Sequence, residues 1–190
     1  MTAAVFLDRD GTIIEDVDYL SALDRMTLFP YTVDALRLLE RAGFAVVVVT
    51  NQSAVARGIV TEAFVNETHA ELDRRLARGG ARIDRYYFCP DHPEGTVAKY
   101  RRQCRCRKPL PGMIEEAAAD LGIDVARSWM VGDRWIDVET GLAAGTRAIL
   151  VKSGHSWRMH EEAPAGVRAD AILNNLMEAV GWILRAATSR

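Results

Sequence analysis

The sequence predicts an α/β fold, a Rossmann-like doubly wound parallel sheet, and three observations carry that prediction. Strand-like and helix-like stretches alternate along the 190 residues, which is the order expected of an open parallel sheet wound with helices. The run 44–49, FAVVVV, is continuously apolar and β-branched, as a strand covered on both faces should be. The polar, reactive residues come directly after the strands, where such sheets bind their ligands.

Ala3–Leu7 reads as the first strand and runs into Asp8, Asp10, Gly11 and Thr12. Pro30 precedes a helix over Thr32–Arg41, with Val33, Leu36 and Leu39 on one face and Gly43 ending it. Phe44–Val49 is the second strand, followed by Thr50, Asn51, Gln52 and Ser53. Thr61 caps the next helix, with Val65, Leu72 and Leu76 inward. Arg82–Phe88 reads as a third strand ending at Cys89. The rhythm then breaks: Cys89–Gly112 holds prolines, all three cysteines and a basic cluster, and is predicted to be a loop insert. Pro111 opens a helix striped by Ile114, Ala117, Ala118 and Leu121, and Gly122 closes it. Trp129–Val131 is a fourth strand leading to Asp133 and Asp137, Ile136–Ala144 a helix, and Ala148–Val151 a strand. Residues 152–168 read as irregular, and Asn174 is expected to cap a last helix with Leu176, Val180, Ile183 and Leu184 inward.

Composition narrows the class. Hydrophobic residues make up 49%, enough for a full core in one domain over 1–190, with 89–112 inserted in it. Basic and acidic residues number 24 and 26, for a net charge of -2. That balance argues against a nucleic-acid or membrane-surface partner. No apolar run approaches the roughly 20 residues that cross a bilayer, and the N-terminus lacks the pattern of a signal peptide. The expectation is a cytoplasmic monomer acting on a small molecule. Three cysteines, odd in number and clustered, make a poor disulfide framework and a better metal site.

Two acids at one strand end repel each other unless a cation joins them. Asp8, Asp10 and Asp133 offer an all-oxygen site suited to a hard ion, Mg²⁺ first. Gly11-Thr12 lets the backbone aim amides at an anion, and Thr50 and Lys108 supply a hydroxyl and a charge for the same anion. With a phosphate in place, Asp8 can attack phosphorus, and Asp10 can protonate the departing alkoxide and then activate water. Taken singly, each motif also occurs in ordinary turns and strand ends; their placement at successive strand ends is what points to chemistry.

The stretches FLDRDGT, VVVVTNQS, CRKPLPGM and MVGDRWIDVETG resemble the four motifs of the haloacid-dehalogenase-like phosphohydrolases, and the resemblance covers almost the whole chain. It implies Asp8 as nucleophile, Asp10 as general acid and base, and Thr50 and Lys108 as phosphoryl-group ligands. It also implies Mg²⁺ held by Asp8, the main-chain carbonyl of Asp10, and Asp133, with Asp137 supporting the site from behind. The short spacers leave room for only a minimal cap. Asp16 and Tyr19, Asn51, Gln52 and Ser53, Arg107 beside Lys108, and Arg134 beside Asp133 are similar to the family's substrate contacts.

The insert holds Cys89, His92, Cys104 and Cys106, and three thiolates with an imidazole suit tetrahedral, structural Zn²⁺. It is similar to the loop of the D-glycero-D-manno-heptose-1,7-bisphosphate phosphatases and to the shorter loop of the histidinol-phosphate phosphatases. The length between Cys89 and Cys104 fits the former. The resemblance therefore implies removal of the 7-phosphate of a heptose bisphosphate, a step toward nucleotide-activated heptose, with histidinol phosphate as the alternative substrate. The family pattern places its ligand histidine where this chain has Asp91; thiolate chemistry favours His92 and alignment favours Asp91, so both stay open, with His92 the expected ligand. A reading of another class is a zinc-loop nucleic-acid module gripping through Arg101, Arg102, Arg105, Arg107 and Lys108. Arg57 reads as surface, Trp135, Trp157 and Trp182 as packing residues, His69 as exposed on its helix, and His155 and His160 as part of the irregular stretch.

Overall fold

The computed structural model describes residues 2–188. Its six strands are β1 (Ala4–Leu7), β2 (Ala45–Asn51), β3 (Arg85–Cys89), β4 (Trp129–Gly132), β5 (Arg147–Val151) and β6 (Ala171–Leu173). They form one sheet in the order β3-β2-β1-β4-β5-β6, with every neighbouring pair parallel. The helices are α1 (Thr32–Arg41), α2 (Ser53–Ala56), α3 (Glu62–Arg78), α4 (Gly112–Leu121), α5 (Trp135–Ala144), α6 (His155–Arg158) and α7 (Leu176–Thr188).

The strands alternate sides as a pleat requires. Val5, Leu7, Val46 and Val48 pack on one face with Leu36 and Leu39 of α1, Leu72 and Leu76 of α3, and Val180 and Ile183 of α7. Ala4, Phe6, Val47 and Val49 pack on the other with Met113, Ile114 and Ala117 of α4. Burial on both faces explains why β1 carries no polar residue and β2 none before Thr50. The strand order reverses between β1 and β4, so the crevice above their carboxyl ends is the switch point at which a doubly wound sheet takes a ligand.

Local chemistry sets the element ends. Thr61 accepts the amide of Phe64 at the start of α3, and Gly122 and Gly145 close α4 and α5 in the left-handed conformation that glycine takes most readily. Several expectations are corrected. The third strand begins at Arg85 rather than Arg82, because Asp84 binds Val46 through both its own amide and its carboxylate and turns the chain into the sheet there. The last helix is capped by Asn175, whose side chain accepts from Glu178 N, and not by Asn174. The edge strand β6 and the one-turn helices α2 and α6 are too short for hydrophobic periodicity to reveal. Trp157 is exposed, lying under Lys152 in a cation–π contact, whereas Trp135 is buried and Trp182 packs edge-on against Trp129. His69 is buried, not exposed.

Candidate active site

Asp8 leaves the end of β1 and Asp133 the end of β4, on either side of the switch point. Asp137 sits in the first turn of α5. Oxygens of these three buried carboxylates lie within 4.8 Å of one another. Lys108 enters from the cysteine loop and is 3% exposed. Its Nζ donates to Asp137 Oδ1 at 2.6 Å and to Val49 O at 3.1 Å, and it pairs with Asp8 Oδ1 at 2.8 Å. One cation therefore answers two of three acids. Burial pushes the Asp8 carboxyl up to about 6; Lys108 pulls against this, and Asp137 and Asp10 add to it. Burial, then Asp8 and Asp137, raise the Asp133 carboxyl well above its ordinary value. For Lys108 burial lowers the pKa, but Asp137 and Asp8 together reverse that and hold the ammonium above its ordinary value.

Asp133 is the acid left short. Its Oδ2 accepts the amide of His155, and its Oδ1 is buried without a hydrogen-bond partner. Two glycines make room for it: a Cβ on Gly11 would lie 2.5 Å from Asp133 Oδ2, and one on Gly154 would lie 2.0 Å away. A buried, unpartnered carboxylate oxygen facing a second carboxylate fits a hard divalent cation. Asp8 and Asp133 are the side chains suited to hold it, because both oxygens of Asp137 are taken, Oδ1 by Lys108 and Oδ2 by the amide of Arg134 at 2.9 Å, whereas Lys108 meets Asp8 at Oδ1 alone. The side chain of Asp10 stands outside the three-carboxylate group.

Asp8, Asp10, Lys108 and Asp133 line a cleft of about 430 Å³ whose walls include Asp16, Tyr19, Thr50, Asn51, Gln52, Ser53, Arg107 and Arg134, with Asp137 buried behind it. The structure thus places every predicted substrate contact along one cavity, but not in one kind of role. Asn51 is fully engaged with the backbone of Lys108, accepting its amide at 3.0 Å and donating to its carbonyl at 3.1 Å. Gln52 donates to Thr50 Oγ1 at 2.9 Å and to Asp10 Oδ2 at 3.0 Å. These two side chains hold the machinery. Thr50, accepting from Gln52, keeps its own hydroxyl proton to give to an anion. Asp16 Oδ1 accepts the amide of Asp18, which holds the loop that carries Tyr19. Arg134 Nε is buried and unpartnered, and the Arg107 guanidinium, half-buried, has its pKa lowered by burial. His155, read from sequence as part of an irregular stretch, lines the cleft beside Asp133. No periodic signal could have placed it there.

The cysteine loop stands behind Lys108. Sγ atoms of Cys89, Cys104 and Cys106 and a carboxylate oxygen of Asp91 all lie within 4.8 Å of one another. In the structure Cys104 and Cys106 are joined as a disulfide, Cys89 is free, and Cys89 Sγ is 2.8 Å from Cys106 Sγ. The expected fourth ligand, His92, is not in this group: its Nδ1 accepts the amide of Glu94 in a tight turn. Asp91 takes the place instead. It is 1% exposed, its Oδ2 pairs with Arg102 at 2.8 Å, and its Oδ1 is buried without a hydrogen-bond partner. With the cysteines reduced, three thiolates and that oxygen fit a tetrahedral Zn²⁺. Gly112 is required beside it, since a Cβ there would lie 2.4 Å from Arg105 O. Each of these basic residues has a protein partner: Arg101 bonds Gly95 O, Arg102 pairs with Asp91, Arg105 with Glu115, Arg107 bonds Asp91 O, and Lys108 pairs with the carboxylates, while Arg101, Arg102 and Arg105 stay exposed.

Comparison with known proteins agrees with this geometry. The family described as HAD-hydrolase-like matches residues 105–179. A D-glycero-beta-D-manno-heptose-1,7-bisphosphate 7-phosphatase from Yersinia pestis is 44% identical over 92% of this chain and 92% of its own length. A D-glycero-D-manno-heptose-1,7-bisphosphate 7-phosphatase from Chlorobaculum tepidum is 40% identical over 98% and 96%. The crystal structure of D,D-heptose 1,7-bisphosphate phosphatase from B. bronchiseptica, complexed with magnesium and phosphate, superposes with a TM-score of 0.84 at 31% identity, covering 97% of this chain and 99% of that one. No helix among the described residues is long and apolar enough to cross a membrane. The chain belongs to the HAD-like hydrolases and, within them, to the family of the heptose-1,7-bisphosphate 7-phosphatases.

Proposed function

We propose that this protein is a Mg²⁺-dependent phosphatase that removes the 7-phosphate of D-glycero-D-manno-heptose 1,7-bisphosphate, working in the cytoplasm as a single domain with a zinc-stiffened loop. The observation that carries the reading is the arrangement of Asp8, Asp133 and Lys108 at the switch point: two buried acids, one of them unanswered by the protein, around a fixed cation. The relatives' shared substrate names the phosphoester.

Asp8 attacks phosphorus, forming a bond from its carboxylate oxygen as the bond to the sugar oxygen breaks. Asp10, which lines the cleft, gives its proton to that oxygen and afterwards takes one from the water that hydrolyses the aspartyl-phosphate. Thr50 and Lys108 donate to the phosphoryl oxygens where negative charge accumulates. A divalent ion held by Asp8, Asp133 and the main-chain carbonyl of Asp10 would neutralise the carboxylates and share the load on the phosphoryl group. Arg107 and Arg134 suit the remote phosphate or sugar hydroxyls, since a guanidinium fork matches such oxygens. The raised pKa of Asp8 belongs to the site without its cation; a bound cation favours the ionised nucleophile.

The test is phosphate release from both anomers of the heptose bisphosphate and from histidinol phosphate, with product analysis at carbon 7. Turnover of a heptose bisphosphate at least about 10²-fold better than of histidinol phosphate is expected, a gap of the size a site built for particular polar groups can produce. Preference for histidinol phosphate would overturn the substrate assignment.

A further inference from the structure

Between the two acids of the first motif lies Arg9, which the mechanism does not use and which is 2% exposed. A guanidinium buried this deeply needs polar partners, and the acid beside it supplies most of them. Its Nε donates to Asp10 Oδ2 at 3.1 Å, and its Nη2 to Asp10 Oδ1 and Oδ2 at 3.0 and 2.8 Å. Nη2 also donates to Gln52 Oε1 at 3.0 Å, and Gln52 Nε2 reaches back to Asp10 Oδ2. Nη1 lies 3.5 Å from His69 Nε2.

His69 is set firmly. It comes from α3, remote in sequence, and is 6% exposed. Its ring stacks on Tyr86 at 4.4 Å and meets Phe88 edge-on at 5.8 Å. It is not among the residues that line the cleft. A chain of contacts thus runs from a fixed ring in the helix layer, through a buried fork, to the carboxylate at the cleft. Lysine could supply the charge but not the two-pronged plane. An acid that must deliver a proton along one line depends on that plane, since a misplacement of about 1 Å can reduce the rate about 10²-fold.

We propose that Arg9 is the positioning residue for Asp10, fixing the plane in which its carboxyl meets the leaving oxygen, and that His69 anchors Arg9 for that purpose. The inference rests on the acid–base role proposed for Asp10.

The test exploits the leaving group. A sugar alkoxide needs a proton as it departs; p-nitrophenolate leaves without one. In the full chain with Mg²⁺, kcat/KM covers only the steps through departure, so the later attack of water does not enter it. Arg9→Lys and Arg9→Met should lower kcat/KM for the heptose bisphosphate about 10²-fold, within the range general acids contribute, while that for p-nitrophenyl phosphate changes less than about threefold. His69→Phe, which keeps the stack and removes the acceptor, should show the same selectivity at about tenfold, and His69→Gln should recover most of it. Equal losses on both substrates, or none, would overturn the proposal. Where an Arg9 variant does not fold, as judged by thermal melting, the His69→Phe selectivity decides in the same way. Asp10→Asn is the reference: if it shows no leaving-group selectivity, the acid role of Asp10 fails, and the positioning role falls with it.

Discussion

At the rim of the sheet, Asp8, Asp133 and Asp137 come from two strand ends and the first turn of a helix, and Lys108 already binds two of them. In the cysteine loop, Cys89 ends a strand, but Asp91, Cys104 and Cys106 ride on backbone with little regular structure. There the charges set against the group are Arg102, paired with Asp91, and Arg107, which donates to Asp91 O and favours the Cys89 thiolate less than burial opposes it. The rim is therefore largely assembled by the protein's own counter-charge and needs an ion to finish its chemistry. On the proposed reading the loop takes an ion that defines its shape. The two proposed metal sites would then be coupled to different things, the first to turnover and the second to order, with Lys108 as the residue that belongs to both.

The largest expected effect breaks the rim alone. Asp8→Asn removes the nucleophile without changing its size, and turnover should fall about 10⁴-fold or more, measured as phosphate release. Removing Mg²⁺ should abolish activity similarly while moving the melting temperature little. A melting shift as large as that on zinc removal would erase the contrast between the sites.

Next comes the loop. Asp91→Ala should weaken zinc binding by more than the roughly 10–100-fold that loss of an outer-shell partner costs. His92→Ala should leave it nearly unchanged, as measured by competition with a chelator. The purified reduced protein should carry one zinc per chain with its three thiols shielded from thiol reagents, and chelation should expose all three. If instead only Cys89 ever reacts, the Cys104–Cys106 disulfide is the resting state and the loop is not a zinc site.

A gentler change sharpens the rim's dependence on space. Gly154→Ala adds a Cβ that would collide with Asp133 Oδ2. The Mg²⁺ concentration for half-maximal activity should rise about tenfold, as read by metal titration of the rate. An unchanged titration would show that Asp133 does not need its present position.

What the sequence made legible follows the same division. The strand ends could be read because β-branched runs stop abruptly at polar residues, as at Val49-Thr50 and Leu7-Asp8, and parallel order forces those ends together. The choice between Asp91 and His92 could not be read, because it turns on which way a two-residue turn points, and the Glu94 amide claims the imidazole. Asn51 and Gln52 read as substrate contacts because their position was visible and their partners were not. His69 was misread for a different reason. Its helix carries a weak stripe, and a histidine among Glu67, Glu71 and Asp73 looks solvated, whereas the buried face is shared with the distant Arg9 and Tyr86.

That buried histidine gives the smallest effect. Burial first, and the Arg9 charge second, lower the His69 pKa from 6.5 to about 3. The folded state thus refuses a proton that the unfolded chain accepts. Above pH 6.5 both states hold a neutral ring and His69 has no pH-dependent effect. As pH falls from 6.5 toward 3 the unfolded state binds the extra proton, and stability drops by up to about 1.4 kcal/mol per pH unit. The raised pKa of Asp8 acts in the opposite sense between about 6 and its ordinary value, so the comparison must be between variants rather than along one curve. His69→Gln, which keeps an acceptor for Arg9 and cannot titrate, should be steadily less sensitive to acid than the parent below pH 6.5. The gap between their denaturant midpoints should be flat above that pH. Parallel acid limbs would mean that the ring is protonated in the folded protein, and that it holds Arg9 by something other than a lone pair.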